Sequence, residues 1–357
     1  MERQRKELYT PQMKKLAEST RVAACVCVAG ESISRPLPQD DYDHVDGVGS
    51  KAKTLKRVGN LRGIVLDALR GNLNDLAVDD AIPSTVSNVI VSPEDDDTLF
   101  IPLVAYLAEE CHRRGMVLTG GDPDFNREAG YVEMFITIHG YRRRKNDIIQ
   151  ENRFRIGDVI VGLVSTGPHC NGFSLIRHYF GEDLPIGFLA ATADYYDAVM
   201  RVNQEVDVHA RVNITGTAFV RPREKLPPDA DIFIHGDGAP DYHWPFHALY
   251  ERMESRLPAA LIRTLQYSDL GLRLIRIAAQ GWRRCLRECG SETVDREIYS
   301  NVNCGTGFLI GVDKVDMDRV VNILAKFGIR SAVVGEVTGG SGKIHIKSKF
   351  SNRWFDM

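Results

Sequence analysis

The chain has 357 residues, enough for two ordinary domains, and its 43% hydrophobic and 26% charged residues are typical of a globular protein. The formal net charge of -3 leaves no basic excess to neutralise phosphates, so no nucleic-acid partner is expected. The apolar runs are too short to cross a membrane, and the charged N-terminus lacks the apolar core of a signal peptide.

Helices and strands alternate along the first half of the chain. The spacing of apolar residues predicts helices over 3–19, 61–78 and 98–114. Strands are predicted over 22–29, 86–91, 116–118 and 132–139. Residues 30–44 are acidic and are predicted to form a loop, and the basic run 142–145 is predicted to be a hairpin tip in water.

The second half continues the alternation after a polar stretch, 146–155, that is the best candidate for a domain boundary. Strands are predicted over 159–164, 232–234, 308–312, 332–334 and 344–346. Helices are predicted from residue 173 and over 192–207, 245–256, 269–288 and 315–327. This pattern predicts α/β architecture in both halves.

The segment 157–179 combines a buried strand, a small-residue turn and the start of a helix. Functional groups of α/β proteins collect at such turns, because backbone N–H groups there point outward and suit anions. An ordinary turn with polar caps is the structural alternative.

Four short segments hold acidic or amide side chains among small residues, a composition that suits phosphate and Mg²⁺. They are 46–51, which ends in Lys51, the pair Asn74-Asp75, the run 120–122, and 165–172. Singly, each has a structural alternative: Asp46-Gly47 is a common turn, and Asn74-Asp75 could face solvent. The common nucleotide motifs are absent, because 339–343 lacks the first glycine and the hydroxyl residue of a P-loop.

The order of these segments resembles the aminoimidazole ribonucleotide synthetase family, also called phosphoribosylformylglycinamidine cyclo-ligase. DGVGSK (46–51) is similar to that family's DGVGTK, and GDVIVGLVSTGPHCNGFSLIR (157–177) to its GDxxIGLxSSGxHSNGxSLxR. Weaker similarities are NLNDLAVDDAIP (72–83), TGGDP (119–123), NVNCGTGF (301–308) and VVGEV (333–337).

The resemblance implies a two-domain fold of the α/β (α+β) class. Its N-terminal domain, here 46–152, would bind ATP and pair with a second subunit through a shared β-barrel, and 153–357 would form a C-terminal α/β domain. Residues 1–45 would be a divergent N-terminal segment. The implied assembly is a homodimer.

The implied reaction is the ATP-dependent closure of formylglycinamidine ribonucleotide to aminoimidazole ribonucleotide, with ATP and Mg²⁺ as cofactors. The resemblance assigns catalytic roles to His169, Asn171 and Asp46, and metal binding to Asp46, Asp75 and Asp122. The residues that would bind ATP are Asp46, Gly47, Gly49, Lys51, Asn74, Asp75, Gly120, Gly121 and Asp122. Those that would bind substrate are Ser165, Thr166, Gly167, His169, Asn171, Gly172, Thr215 and Gly216.

The sequence departs from the family pattern in several places. The glycine-rich opening segment that helps to cover ATP is absent from 1–45, and Asp122 replaces a glutamate. The family's HITGGGLxxNxPR is interrupted at 213–219, where a side chain at Thr217 or Ala218 would obstruct close approach of the backbone to an anion.

Three functions therefore stay open: a working cyclo-ligase, a homologue that binds a nucleotide or a partner without catalysis, and an ATP-dependent relative with another substrate. Relatives of the last kind include selenophosphate synthetase, thiamine-phosphate kinase and the hydrogenase-maturation dehydratase. The last normally uses a C-terminal cysteine, whereas this chain ends RWFDM, and Cys25 and Cys27 are the only features that favour selenophosphate synthesis. The seven scattered cysteines fit reduced thiols in a cytoplasmic protein.

Overall fold

The structure is a computed structural model that describes residues 25–27, 34–36, 41–142, 151–235, 245–254 and 292–357. The helices predicted over 3–19 and 269–288 lie outside the described residues, as does 143–145 of the predicted basic tip. Two short strands, β1 (Cys25–Cys27) and β2 (Ser34–Pro36), pair antiparallel.

A four-stranded sheet forms the first half of the described chain. Its strands are β3 (Asp41–Gly47), β4 (Ile82–Ser92), β5 (Val117–Phe125) and β6 (Glu133–Tyr141), in the order β3-β6-β4-β5. The β4–β5 pair is parallel and the other pairs are antiparallel. Among the described residues β3 and β5 are the edges of this sheet, so the dimeric barrel implied by the resemblance stays a prediction.

Helices α1 (Lys51–Arg57), α2 (Leu61–Val78) and α3 (Asp97–Arg113) belong to this half, and α2 packs on β3 and β6. Both long helices begin at a side-chain cap. The Asn60 side chain accepts a hydrogen bond from the Gly63 amide, and the Asp96 side chain accepts one from the Thr98 amide. Buried leucines at Leu69, Leu73 and Leu76 supply the core face of α2.

A seven-stranded sheet forms the second half, in the order β13-β12-β9-β11-β7-β10-β8. Its strands are β7 (Val159–Val164), β8 (Val208–Asn213), β9 (Ala230–His235), β10 (Thr306–Val312), β11 (Ser331–Gly339), β12 (Ile344–Lys347) and β13 (Trp354–Asp356). The predicted burial of β7 on both faces is confirmed, since its four central residues are buried.

The helices of this half are α4 (Phe173–Phe180), α5 (Tyr196–Glu205), α6 (245–254), α7 (292–301) and α8 (Met317–Lys326), and a 3₁₀ helix spans Ala218–Lys225. The α/β fold class predicted from the sequence is confirmed. No helix among the described residues is long and apolar enough to cross a membrane.

The sequence reading was wrong at three elements. The predicted acidic loop over 30–44 contains β2 and the first part of β3. The strand predicted over 116–118 runs on through the glycines to Phe125, so 120–122 is extended chain and not a turn. Strand β8 went unrecognised because three of its six buried residues are His209, Arg211 and Asn213.

Candidate functional site

Asp75, in the last turn of α2, connects three parts of the chain at one carboxylate. It is only 4% exposed. Its Oδ2 lies 3.3 Å from His44 Nε2 of β3, and its Oδ1 accepts hydrogen bonds from Asn213 Nδ2 at 3.2 Å and from Arg221 at 3.3 Å. A buried charge with this many polar partners is costly unless every partner is in place, so the two halves of the protein are tied together here.

Asp46, at the end of β3, lies beside this cluster. Its backbone carbonyl accepts a hydrogen bond from Asn72, and Asn72 Oδ1 lies 2.8 Å from His44 Nδ1. Desolvation of the carboxylate raises the pKa of Asp46 above 3.8 and nearby Asp75 raises it further, although Asp46 as a whole residue is exposed. Its carboxylate receives one hydrogen bond from within the described chain, from the Gly47 amide at 2.8 Å.

A small cavity of about 110 Å³ opens next to Asp75, between α2 and the second sheet. Its charged lining mixes both signs and comprises His44, Asp75, Asp79, Arg211, Arg221, Glu224 and Lys225. Ligand pockets for whole small molecules usually measure about 300–1,000 Å³. This cavity is therefore large enough for a phosphate group and water but not for a nucleotide.

Lys51, which is predicted to contact a phosphate of ATP, points into the protein core. Its ammonium is fully buried, 2.7 Å from Asp67 Oδ2, and donates a hydrogen bond to the Ala190 carbonyl at 2.6 Å. Phe173 of α4 faces the same ammonium, at 5.6 Å from the ring centroid. In this arrangement the Lys51 ammonium cannot reach ATP, because it is paired with the Asp67 carboxylate in the core.

Asn74 is also a buried structural residue. Its side-chain amide donates to the Ala193 carbonyl at 2.9 Å and accepts from the Tyr195 amide at 3.0 Å. The alternative in which Asn74 and Asp75 face solvent is wrong, since both are buried. Asn74 holds the segment 190–195 against α2, whereas Asp75 next to it points to the polar cluster.

The turn 165–172 is locked to the turn that precedes β10. Ser165 Oγ donates to Asn303 Oδ1 at 3.1 Å, and Asn303 Nδ2 donates to the Gly167 carbonyl at 2.8 Å. The same Asn303 Oδ1 also accepts from the Gly305 amide at 3.0 Å. The two segments that carried the strongest family resemblance, 157–177 and 301–308, therefore form one unit.

His169, within this turn, has a positive φ of 59° and is only 1% exposed. Its ring lies 6.0 Å from the Tyr195 ring, centroid to centroid, and close to Gly307. Thr166 is exposed and Asn171 half-buried, so these two residues offer more accessible side chains for a ligand than His169 does. The catalytic role of His169 stays a prediction.

Gly172 at the end of the turn must be a glycine. Its φ is 74°, and an added Cβ would lie 2.3 Å from Val302 Cγ1 and 2.8 Å from the Asn301 carbonyl oxygen. Beyond it, Arg177 of α4 donates hydrogen bonds to Ser50 Oγ at 2.7 Å and to Thr54 Oγ1 of α1 at 3.0 Å. The predicted ATP segment and the predicted substrate segment are thus neighbours.

The structure does not bring Asp122 to the other predicted metal ligands. Asp46 pairs with Ile136 of β6, Ile136 with Asn88 of β4, and Asn88 with Gly121 of β5. Three strand spacings of about 4.8 Å separate β3 from β5, roughly 14 Å. Asp122 pairs with Val89 and so points to the opposite face of the sheet from Asp46. One ion cannot contact both carboxylates of a single chain in this conformation.

Gly120 and Gly121 line a second cavity of about 260 Å³ between β4, β5 and α3, together with Asn88, Ile90, Val104, Leu118, Thr119 and Pro123. Its lining is uncharged. Added bulk at Gly121 would collide with the Asn88 side chain, at 2.4 Å. These glycines therefore belong to a separate apolar pocket, distant from Asp75.

Thr215, which precedes Gly216, lies near the Asp75 cluster. Arg221 donates a hydrogen bond to Thr215 Oγ1 and another to Asp75. Ala218 is fully buried with a φ of 46° and starts the 3₁₀ helix that carries Arg221. Thr217 and Ala218, which replace glycines of the family motif, thus lead into a 3₁₀ helix whose Arg221 and Lys225 side chains line the cavity.

Sequence reasoning missed His44, Arg211, Arg221 and Lys225. His44 was hidden in a segment predicted to be a loop, and Arg211 in the unrecognised strand β8. The signal for Arg221 and Lys225 was present, since RPREK (221–225) is a dense basic run directly after the altered turn.

Comparisons with known proteins agree with this architecture. Residues 39–141 match the family model described as "AIR synthase related protein, N-terminal domain". A structure of the hydrogenase maturation protein HypE in complex with ATP is 14% identical, covers 92% of this chain and 87% of that chain, and has a TM-score of 0.56.

Two further structures are similar over most of this chain. Thiamine-monophosphate kinase from Stenotrophomonas maltophilia K279a is 14% identical, with 94% of this chain and 95% of that chain covered and a TM-score of 0.52. T. maritima PurL complexed with FGAR is 14% identical over 87% of this chain and 44% of that chain, with a TM-score of 0.54. The chain has the fold of AIR synthase-related proteins, and its residues 39–141 match their N-terminal domain.

Proposed function

We propose that this chain is an ATP-dependent enzyme whose phosphate-handling site lies around Asp46 and Asp75. The observation that carries the proposal is the convergence at Asp75 of His44, Asn213 and Arg221, each from a different segment. Such a buried cluster of charges stabilises a fold poorly, and clusters of this kind are concentrated at functional sites. The ATP complex of HypE, which shares the fold, supports ATP as the ligand.

Mg²⁺ fits this site through Asp46 and not through Asp75. Asp46 is exposed, and one amide occupies one of its carboxylate oxygens. Asp75 has both oxygens engaged by His44, Asn213 and Arg221, so neither oxygen is left for a metal ion. We propose Asp46 as the protein ligand of Mg²⁺, which when bound to ATP would neutralise phosphate charge during transfer.

The remaining residues of the site would position a phosphate. The cavity next to Asp75 offers Arg211, Arg221 and Lys225 as cations, and His44 as a further donor. Gly49, with a φ of 62° and no atom within 4 Å of an added Cβ, leaves open space beside the 46–51 segment for close approach. Phosphoryl transfer depends on such positioning more than on a protein nucleophile.

The finer proposal is the cyclo-ligase reaction on formylglycinamidine ribonucleotide. ATP would activate the formyl amide oxygen, an internal nitrogen would close the imidazole ring, and ADP and phosphate would be released. The similarity of 157–177 to the family motif supports this substrate, and the hydrogen bonds of Asn303 preserve the shape of that turn. Thr166 and Asn171 are the accessible contacts we assign to the substrate.

The deciding experiment is a turnover assay with ATP, Mg²⁺ and formylglycinamidine ribonucleotide. We expect aminoimidazole ribonucleotide and ADP in equal amounts, and no ADP above background in the control with ATP alone. Replacing the substrate by thiamine monophosphate tests the kinase relative in the same format. Turnover of thiamine monophosphate alone would reject the cyclo-ligase and keep the broader proposal of an ATP-dependent enzyme.

A second candidate function is nucleotide binding without catalysis. Two observations favour it: Lys51 is withdrawn into the core, and Asp122 is roughly three strands away from Asp46. Mg·ATP binding by calorimetry without turnover of either substrate would select this function over the enzyme.

We also propose that the chain forms a homodimer through the face of the four-stranded sheet opposite α2. That face exposes Val45 to 64%, Val89 to 40% and Phe135 to 38%. Phe135 and Val89 are direct cross-strand neighbours, Val45 lies diagonal to Phe135, and Asp122 beside Val89 forms the charged border of this apolar patch. Two such faces packed together would bury these side chains, which a monomer leaves in water.

A further inference from the structure

His209 lies close to three acidic residues, Asp158, Asp207 and Asp313, at one end of strands in the seven-stranded sheet. Asp158 directly precedes β7, His209 is the second residue of β8, and Asp313 directly follows β10. Val312 of β10 pairs with Val159 on one side and Val208 on the other, which brings these strand ends together. Within the described part of the chain this is the one group of three acidic, histidine or cysteine residues whose ligand atoms lie within 4.8 Å of one another.

His209 is held in a fixed orientation by Asp158. Both side chains are buried, at 2% and 1% exposure, and His209 Nδ1 lies 2.7 Å from Asp158 Oδ1. The other oxygen of Asp158 accepts a hydrogen bond from the Arg155 amide at 2.8 Å, so the carboxylate cannot swing away. A carboxylate that binds Nδ1–H leaves the lone pair of Nε2 facing the other way, as in carboxylate–histidine–metal arrangements.

His209 Nε2 points toward two further carboxylates without making a hydrogen bond to any described residue. It lies 3.5 Å from Asp207 Oδ2 and 3.9 Å from Asp313 Oδ2. Both separations exceed a hydrogen bond. Two ligand atoms that each sit about 2.1 Å from one tetrahedral zinc ion are about 3.4 Å apart, and more at wider angles. The spacing thus suits an ion placed between the atoms.

The two carboxylates are also accessible, as an ion-binding site requires. Asp207 is 55% and Asp313 64% exposed, so an ion can enter from solvent and keep water ligands. Asp207 also lies 3.8 Å from the Arg155 guanidinium, which makes it a flanking charge. Asp313 is the carboxylate that faces Nε2 from a different strand.

We propose that this edge of the sheet is a binding site for a divalent transition-metal ion of the Zn²⁺ type. His209 Nε2 and Asp313 are its ligands, Asp207 adds charge, and Asp158 is a positioning residue for His209. An imidazole and carboxylates with open water positions are a donor set that zinc accepts. The bound ion would cross-link the ends of β8 and β10.

This site is separate from the proposed ATP site. His209 and Asn213 lie at opposite ends of β8, four residues or roughly 13 Å apart along the strand. Asn213 contacts Asp75, whereas His209 contacts Asp158. Failure of the ATP proposal therefore leaves the metal proposal standing, and the reverse also holds.

The test is a titration of the full chain with Zn²⁺ by calorimetry, repeated with Co²⁺ and followed by visible spectroscopy. We expect a site that gives weak d–d bands without a thiolate-to-cobalt charge-transfer band, because its ligands are nitrogen and oxygen. Asp313→Asn should weaken this site at least tenfold without disturbing the fold, because Asp313 is exposed. Asp158→Asn should weaken it about 10- to 100-fold, as loss of a ligand-orienting partner usually does.

Asp356→Asn is the matched control, because Asp356 contacts a histidine whose two nitrogens are both already engaged. His345 Nδ1 lies 2.7 Å from Asp356, and its Nε2 lies 3.3 Å from Asp231. The control should bind Zn²⁺ as the wild type does. Equal Zn²⁺ affinity in wild type and Asp313→Asn would overturn the proposal. A cobalt spectrum dominated by thiolate bands, unchanged in Asp313→Asn, would overturn it as well.

Discussion

At the scale of single residues, Asp46 is the most direct test of the proposed site. Because desolvation and Asp75 raise the pKa of Asp46, its carboxylate takes up a proton at a higher pH than an ordinary aspartate. Only the ionised form binds Mg²⁺. We therefore expect Mg·ATP affinity to fall as the pH drops through this raised pKa, measured by calorimetry at a series of pH values in one ionic strength.

The variant Asp46→Asn should bind Mg·ATP more weakly and should lose this part of the pH dependence. Asp43→Asn, in the same strand but with its carboxylate 2.8 Å from His139, is the control. An unchanged affinity in Asp46→Asn would remove this carboxylate from the site.

The buried ion pair between Lys51 and Asp67 allows a prediction about stability. Lys51→Met leaves the Asp67 carboxylate uncompensated in a fully buried position, and breaking a buried pair from one side costs about 3–5 kcal/mol. We expect this loss in the free energy of unfolding from urea denaturation. Lys53→Met is the matched control, because its pair with Glu182 is half exposed and should change stability little. A small effect of Lys51→Met would show that the Lys51–Asp67 pair contributes little net stability.

At the scale of elements, the turn between β7 and α4 depends on the absence of a side chain at Gly172. Gly172 and Gly59 share a φ of 74°, but an added Cβ meets nothing within 4 Å at Gly59 and meets the Asn301 carbonyl at Gly172. Gly59→Ala should cost only the left-handed backbone penalty, about 1–2 kcal/mol. Gly172→Ala should cost about 1–3 kcal/mol more, from overpacking. Equal losses in thermal denaturation would show that the two turns are not rigidly joined.

The sequence predicts some elements well and others poorly, for reasons that the contacts explain. Helix α2 and strand β7 have long apolar patterns that need no tertiary information. Strand β8 carries His209, Arg211 and Asn213 in buried positions, and these become tolerable only through Asp158, the Val78 carbonyl and Asp75. Partners so distant in sequence cannot be inferred from local patterns.

The segments that form the candidate site were predictable from the sequence, but the contacts of their side chains were not. The segments 46–51, 74–75 and 165–172 were identified from their small and polar residues, and the first and third lie next to each other through α1 and α4. The direction in which each side chain points was not predictable. Lys51 and Asn74 turn toward the segment 190–195, whereas Asp75, which follows Asn74, turns to the cavity.

At the scale of the whole molecule, the exposed sheet face predicts the oligomeric state. We expect a dimer by sedimentation velocity, and a concentration-dependent shift toward monomer for Phe135→Glu, because a charge would be buried in the apolar contact. Ile186→Glu is the control, since Ile186 is 84% exposed and lies outside the four-stranded sheet. A wild-type monomer at all concentrations would contradict the proposed dimer.

The contacts of the segment 190–195 indicate which of its residues can be substituted without loss of the interaction. Side chains from elsewhere bind its main chain at four residues: Lys51 at the Ala190 carbonyl, Arg70 at the Thr192 carbonyl, Asp67 at the Thr192 amide, and Asn74 at the Ala193 carbonyl and the Tyr195 amide. Main-chain groups are the same whatever residue carries them. We therefore expect substitutions at Ala190 or Ala191 that fit the available space to keep these contacts, whereas loss of the Lys51, Asp67 or Asn74 side chain would remove them.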